Sequence, residues 1–217
     1  MTTVIMVCYN RFEKLEEIIQ AWLDQEDVDE LILLDNSGNF KTRLPIIVLS
    51  SSENLGPQGK YPLAMLAKNE RVLFADDDIM PLPGYVADLL EVWKEDRIVG
   101  ALGRVFDGEN YYMPNGSTGY WGADIDKPQK VDWLGGGFTM THQQWCCVPV
   151  RQCPHMTVDD MWWQHYLPDF VSLWVAPTKN YKMLEEGYDD EALHTHPEIK
   201  HYREKYYQEW HHQKKQK

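Results

Sequence analysis

The chain has 217 residues, of which 43% are hydrophobic, a length that suits one α/β domain with its own core and is short for two domains and a linker. No run approaches the roughly 20 apolar residues of a membrane-spanning helix, and the N-terminus lacks a signal-peptide pattern, so a soluble, intracellular protein is expected. The formal charge of −13 disfavours a nucleic-acid partner over most of the surface, and four cysteines without a C-x-x-C pair indicate neither a disulfide framework nor a zinc site.

In chain order, residues 4–8 (VIMVC) form an apolar run suited to a strand buried on both faces. Phe12, Leu15, Ile18, Ile19, Trp22 and Leu23 follow at helical spacing, with Asn10 and Glu13 as the expected N-terminal cap. Further strands are predicted over 31–34, 46–49 and 72–75, with helices over 60–69 and 85–95, the latter after the Pro-rich turn at 81–84. This alternation predicts one α/β, Rossmann-like domain with a mostly parallel central sheet flanked by helices. Ligands of such sheets lie beyond the carboxyl ends of the strands, where Tyr9-Asn10, Asp35-Asn36 and Asp76-Asp77-Asp78 all fall. Past residue 100 the pattern loosens into a Gly-, Tyr- and Asn-rich stretch over 107–130, read as a long loop or hairpin. A segment at 131–134, the run Gly135-Gly136-Gly137, the pair Asp159-Asp160 and a helix over 161–166 follow. The domain is expected to span 1–200, and 201–217 to be a basic tail, since from Lys200 onward six Lys or Arg face two acidic residues; a solvated, frayed terminus is its plainest reading.

Three adjacent carboxylates after a buried strand repel one another unless a cation neutralises them, and Mg²⁺ or Mn²⁺ takes such oxygen ligands; a solvated turn whose aspartates cap the next helix is the alternative. Asn54, Gly56 and Lys60 mark either a phosphate-approaching turn or an ordinary turn before a helix. Asp159 and Asp160 open a helix, which a cap also explains.

Six ordered segments resemble the signature of GT-A glycosyltransferases of the family 2 type: VIMVCYNR at 4–11, LLDNS at 33–37, NLGPQG at 54–59, FADDDI at 74–79, WLGGGF at 133–138 and VDD at 158–160. The resemblance covers about residues 4–170. It implies a hexosyl- or pentosyltransferase with a donor half over about 1–100 and an acceptor half over about 101–200. Tyr9, Asn10, Arg11 and Asp35 would line the nucleotide pocket, Asp35 accepting from the base. Asn54, Gly56 and Lys60 would approach ribose and diphosphate, Asp76 and Asp77 would serve the donor, and Asp78 with Asp76 would hold Mn²⁺ or Mg²⁺. Gly135, Gly136 and Gly137 would form the wall where donor sugar and acceptor meet, Asp160 would be the general base and Asp159 its partner.

The resemblance also places a C-terminal histidine near the metal, for which His194 and His196 are candidates, although exposed loop residues explain them equally. Nine tryptophans are many for this length, and Trp162 is taken as an acceptor contact. A base at Asp160 implies inversion, while the acid run and the stretch 191–202 also resemble family 64 exostosin-like transferases, which retain configuration. The donor is expected to be a UDP-sugar and the acceptor a saccharide. A hydroxymethylated base of phage-type DNA is an alternative, and either fits a cytoplasmic site in a bacterial or phage-infected host cell. From other classes, a sugar nucleotidyltransferase or a non-catalytic sugar-binding module remains open. The sequence does not fix the oligomeric state.

Overall fold

A computed structural model describes residues 1–106, 110–111, 117–184 and 198–215, with side chains as far as 209. The apolar runs become strands whose alternate residues feed two separate layers. In β1 (Thr2–Cys8), Val4, Met6 and Cys8 pack on α1 (Leu15–Leu23), while Ile5 points to the other face. β2 (Val28–Asp35), β3 (Ile47–Ser50) and β4 (Arg71–Ala75) pair in parallel around β1, with Ile5 level with Ile32 on one side and Phe74 on the other. Short β5 (Ile79–Pro81) leads into α2 (Tyr85–Val92), which joins α1 on the first face. The second face is covered by a 3-10 helix (Pro57–Leu66) and by α3 (Asp159–His165).

Next come β6 (Arg97–Gly100), β7 (Leu102–Val105), β8 (Thr118–Trp121), β9 (Gln129–Val131), β10 (Trp133–Leu134) and β11 (Phe138–His142). After α3 follow β12 (Ser172–Val175) and β13 (Tyr181–Met183). The central sheet has the order β3-β2-β1-β4-β11-β6-β12-β9, and β7 joins β10 and β8 in a three-stranded sheet. The expected α/β domain with a mostly parallel sheet is present, with β11 and β9 as the reversed strands. β11 fills the gap between β4 and β6, pairing Phe138 with Ala75 and Thr139 with both Phe74 and Gly100.

Several local expectations are corrected. Asn10 and Glu13 do not cap α1, which starts at Leu15 behind Lys14 with no side-chain cap bond. The helix expected over 60–69 is the 3-10 helix Pro57–Leu66, because Pro62 lacks the N–H that an α-helical turn needs there. α2 stops at Val92, where Trp93 turns extended. The frayed tail is instead α4 (Ile199–Lys215), so the boundary drawn at 200 falls inside a helix. α4 is held because Tyr207 is fully buried against Phe106 and Tyr111, with Trp133 and Met161 in the same small cluster. Among the described residues no helix is long and apolar enough to cross a membrane.

Candidate active site

The carboxyl ends of β1 and β4 open into a cavity of about 930 Å³. Tyr9, Asn10 and Arg11 enter it from β1, Asp76, Asp77 and Asp78 from β4, and Asn54, Gly56 and Lys60 from the turn and 3-10 helix. Gly135, Gly136, Gly137, Asp159 and Asp160 line the same space, so residues from both halves of the chain meet there.

Asp35 is not on this wall. Its carboxylate is fully buried and accepts the backbone N–H groups of Ser37, Gly38 and Phe40 and the Ser37 hydroxyl, at 2.7–3.0 Å. Burial opposes the charge, but these donors outweigh it and hold the carboxyl below its usual value. The expectation that it receives a base hydrogen bond is therefore corrected: Asp35 builds its own loop. Its neighbour Asn36 reaches the cavity, donating to Gly56 O and accepting from Leu55 N, both at 3.2 Å. Asn54 accepts from Gly56 N at 2.8 Å, and Gly56 sits at φ +71°, which favours glycine.

The acid run is braced by two cations. Lys60 Nζ lies 2.6 Å from Asp76 Oδ1, and Arg11 Nη1 lies 3.3 Å from both Asp77 Oδ1 and Asp78 Oδ2. Burial, then Asp78, push Asp77 up to about 7 against the pull of Arg11; burial, then Asp76, push Asp78 up to about 6. Carboxylates this costly to ionise are short of positive charge, which is the condition a divalent cation relieves. Among the described residues no three His, Cys, Asp or Glu side chains gather as a metal cage, and His194 and His196 lie outside those residues. Two carboxylates suffice where substrate phosphates supply further oxygens, so the donor set fits Mg²⁺ or Mn²⁺ in that form.

Across the cavity, Asp159 Oδ2 accepts from the Tyr61 hydroxyl at 2.8 Å. Burial, then Asp160, raise Asp159 to about 7, with Lys60 pulling the other way. Asp160 Oδ2 meets Arg203 Nη2 at 3.1 Å, and its Oδ1 accepts from Met161 N. Successive residues of the 3-10 helix thus reach the two acidic clusters, Lys60 to Asp76 and Tyr61 to Asp159. Lys60 is 1% exposed; burial works against its charge, but Asp76 and then Asp159 keep its pKa above the ordinary lysine value. Tyr61 is clamped by stacking on Trp163 at 4.9 Å and by the edge contact with Phe74.

The glycine run packs on carboxylates. A Cβ on Gly137 would collide with the Asp76 carboxylate, and one on Gly136 would lie 2.7 Å from the Tyr61 hydroxyl and 3.1 Å from Asp160 Cβ, whereas one on Gly135 would make ordinary contact with Leu102. Trp162 is corrected as an acceptor contact: it is 3% exposed, packs in the core with Tyr166 against it, and is not on the cavity wall. Among the described residues, Trp121, Trp133, Tyr111 and Phe138 line the cavity with aromatic side chains from that half of the chain. Asn36 stands at the crevice, where the strand-end pair Asp35-Asn36 was expected, whereas sequence reasoning missed Tyr61, Tyr111 and Arg203. Tyr61 follows a residue that was singled out, Lys60, and that adjacency was the available signal. Arg203 carried none, because it sits in a segment that reads as a solvated tail.

The model of the family described as Glycosyl transferase family 2 matches residues 3–152. No curated protein sequence matches the chain. Among solved structures, the crystal structure of GalNAc-T7 with UDP, GalNAc and Mn²⁺ is similar at a TM-score of 0.61 and 12% identity, covering 85% of this chain and 44% of that one. The present chain thus spans under half of that protein's length, and at this identity the likeness concerns the fold. A strand-ended acid run, a glycine segment laid against it and a family match over more than half of the sequence agree: the chain belongs to glycosyl transferase family 2 and has the GT-A fold.

Proposed function

We propose that the protein transfers a sugar from a nucleoside-diphosphate donor, a UDP-sugar, to a hydroxyl of a saccharide acceptor, with Mn²⁺ or Mg²⁺ as cofactor. The observation that carries this reading is that a single cavity joins the acid run to the Asp159–Asp160 pair, with Lys60 and Tyr61 spanning the two. UDP is the first nucleotide to consider because the similar structure was crystallised with UDP and Mn²⁺.

In this reading Asp78 and Asp76 hold the metal. When bound, it supplies Lewis-acid stabilisation of the charge on the departing nucleoside diphosphate. Arg11 and Lys60 add positive charge at the same end. Tyr9, Asn10, Asn54 and Gly56 hold the nucleotide. Asp160 accepts the proton of the acceptor hydroxyl as its oxygen bonds to the anomeric carbon and the bond from that carbon to the diphosphate breaks, so the product is inverted. Asp159, with Tyr61 donating to it, orients the acceptor. Trp121 and Trp133 offer aromatic faces for a sugar ring.

Thermal unfolding with UDP, GDP, CDP, ADP and TDP, each with and without Mn²⁺, tests the donor site. Ligand at about 100 times its dissociation constant adds roughly 2.7 kcal/mol, a readily seen shift. The expected result is stabilisation by UDP that needs Mn²⁺ and is lost in Asp78→Ala. No shift with any nucleotide would sink the donor assignment, and retention of anomeric configuration in the product, read by NMR, would remove Asp160 as base.

A further inference from the structure

Arg203 lies outside the stretch that the family match covers, yet its side chain is 14% exposed and enters the cavity from α4. Nη2 contacts Asp160 Oδ2 at 3.1 Å, while Nη1 donates to the Tyr111 hydroxyl at 2.8 Å. The guanidinium stands over the rings of Trp133 and Tyr111, at 5.4 and 5.7 Å from their centroids. Around it α4 is fastened at three more points. Tyr202 stacks on His155 at 3.8 Å, Glu204 accepts from Tyr111 N, and Tyr207 is buried.

We infer that Arg203 is a positioning residue that fixes the Asp160 carboxylate on the cavity wall. The inference rests on the reading of Asp160 as the base. A carboxylate has about four lone-pair sites, and the contacts from Met161 N and Arg203 engage one on each oxygen, leaving the others to face an acceptor hydroxyl. Without the guanidinium, Asp160 is free to turn toward other charged or polar groups of this wall, Lys60 of the facing 3-10 helix among them. A planar guanidinium pinned by the Tyr111 hydroxyl and two aromatic rings defines where that oxygen sits more tightly than a mobile ammonium does. Residues of α4 therefore complete a site most of whose lining comes from the first 160 residues.

The test compares Asp160→Asn, Arg203→Gln, Arg203→Lys and Tyr111→Phe in the full chain. Kinetics use UDP release from a panel of UDP-hexoses with methyl glycosides as acceptors, and folding and donor binding are followed by the UDP–Mn²⁺ thermal shift. Arg203→Gln is expected to lower kcat about 100-fold, with donor KM and the UDP shift unchanged, and Arg203→Lys to recover part of the loss. Tyr111→Phe is expected to show the same signature at smaller size. Wild-type kcat in Arg203→Gln, or a fall in kcat that is matched by loss of the UDP shift, overturns the inference. Should Arg203→Gln not fold, an unchanged kcat in Tyr111→Phe overturns it. Full kcat in Asp160→Asn instead shows that the base assignment itself is wrong, a result distinct from an inactive Asp160→Asn beside an active Arg203→Gln.

Discussion

Gly137 and Gly135 separate two uses of glycine that look alike in the sequence. Gly137 is required for space, since any side chain there would overlap the Asp76 carboxylate, whereas Gly135 has room for a methyl group against Leu102. Gly137→Ala is expected to abolish the metal-dependent UDP stabilisation while the fold survives, and Gly135→Ala to keep it, both measured by thermal unfolding; an unimpaired Gly137→Ala would show that Asp76 has freedom to move aside. Residues differed in how far they could be read. The position of the acid run was legible because it directly follows an apolar strand, whose carboxyl end opens on the crevice of such a sheet. Asp35 was not, because a carboxylate after a strand looks the same whether it faces a crevice or accepts the N–H groups of its own loop. Trp162 was misplaced because α3 is buried around its circumference, so composition gave no sign of which indole met the cavity.

Among the elements, the 3-10 helix acts as a strut between the two acidic clusters. A helix over 60–69 gives no reason to treat Lys60 and Tyr61 as a pair, and Pro62 is the residue that sets the 3-10 geometry instead. Tyr61→Phe keeps the stacking on Trp163 but removes the donor to Asp159. The expected cost is about 1–3 kcal/mol, with the titration of Asp159 moved to higher pH because the hydroxyl favours the carboxylate form. Denaturant unfolding and the pH–rate profile read the two effects, and an unmoved profile would exclude Asp159 from the rate. α4 makes a second element-scale case. Tyr207→Ala removes a fully buried ring and on the order of 3 kcal/mol of packing. Amide exchange should then rise across Ile199–Lys215 while β1 and β4 stay protected. A uniform rise along the chain would mean that α4 is not a separate cooperative unit.

For the molecule as a whole, Asp77, Asp78 and Asp159 have folded-state pKa values of about 7, 6 and 7 against an ordinary 3.8. Between those limits the folded state binds more protons than the unfolded one, so stability falls as pH rises from about 4 to about 7. Asp29 and Asp35, held low, act in the opposite sense and lose their contribution only below the ordinary carboxylate value. The metal-free protein should therefore show a Tm that declines from about pH 4 to 7, and Mn²⁺ with UDP should flatten that decline, since the added positive charge favours the ionised run. A Tm that climbs through this window would contradict the burial of these carboxylates. At this scale the parallel core was legible from its apolar runs, while the reversed β11 was not, because strand direction leaves no mark on the composition of a short buried strand.

That reversal carries a consequence for how the chain tolerates insertions and deletions. β11 runs against β4 in a five-pair ladder from Phe138–Ala75 to His142–Arg71, and Asp76 N donates to Gly137 O at 2.9 Å just beyond it. The ladder works as a ruler whose zero lies at the acid run. With the His142 end of the ladder held, a residue added between 137 and 142 would shift the residues before it by one step, place a side chain where Gly137 now admits the Asp76 carboxylate, and turn those residues to the opposite face. The segment after Trp145 and before Met156, which holds a short 3-10 turn at Val150–Gln152, lies outside the ladder, and length changes there leave that scale intact. The chain is therefore expected to accept a one-residue insertion between 146 and 155 more readily than one between 137 and 142.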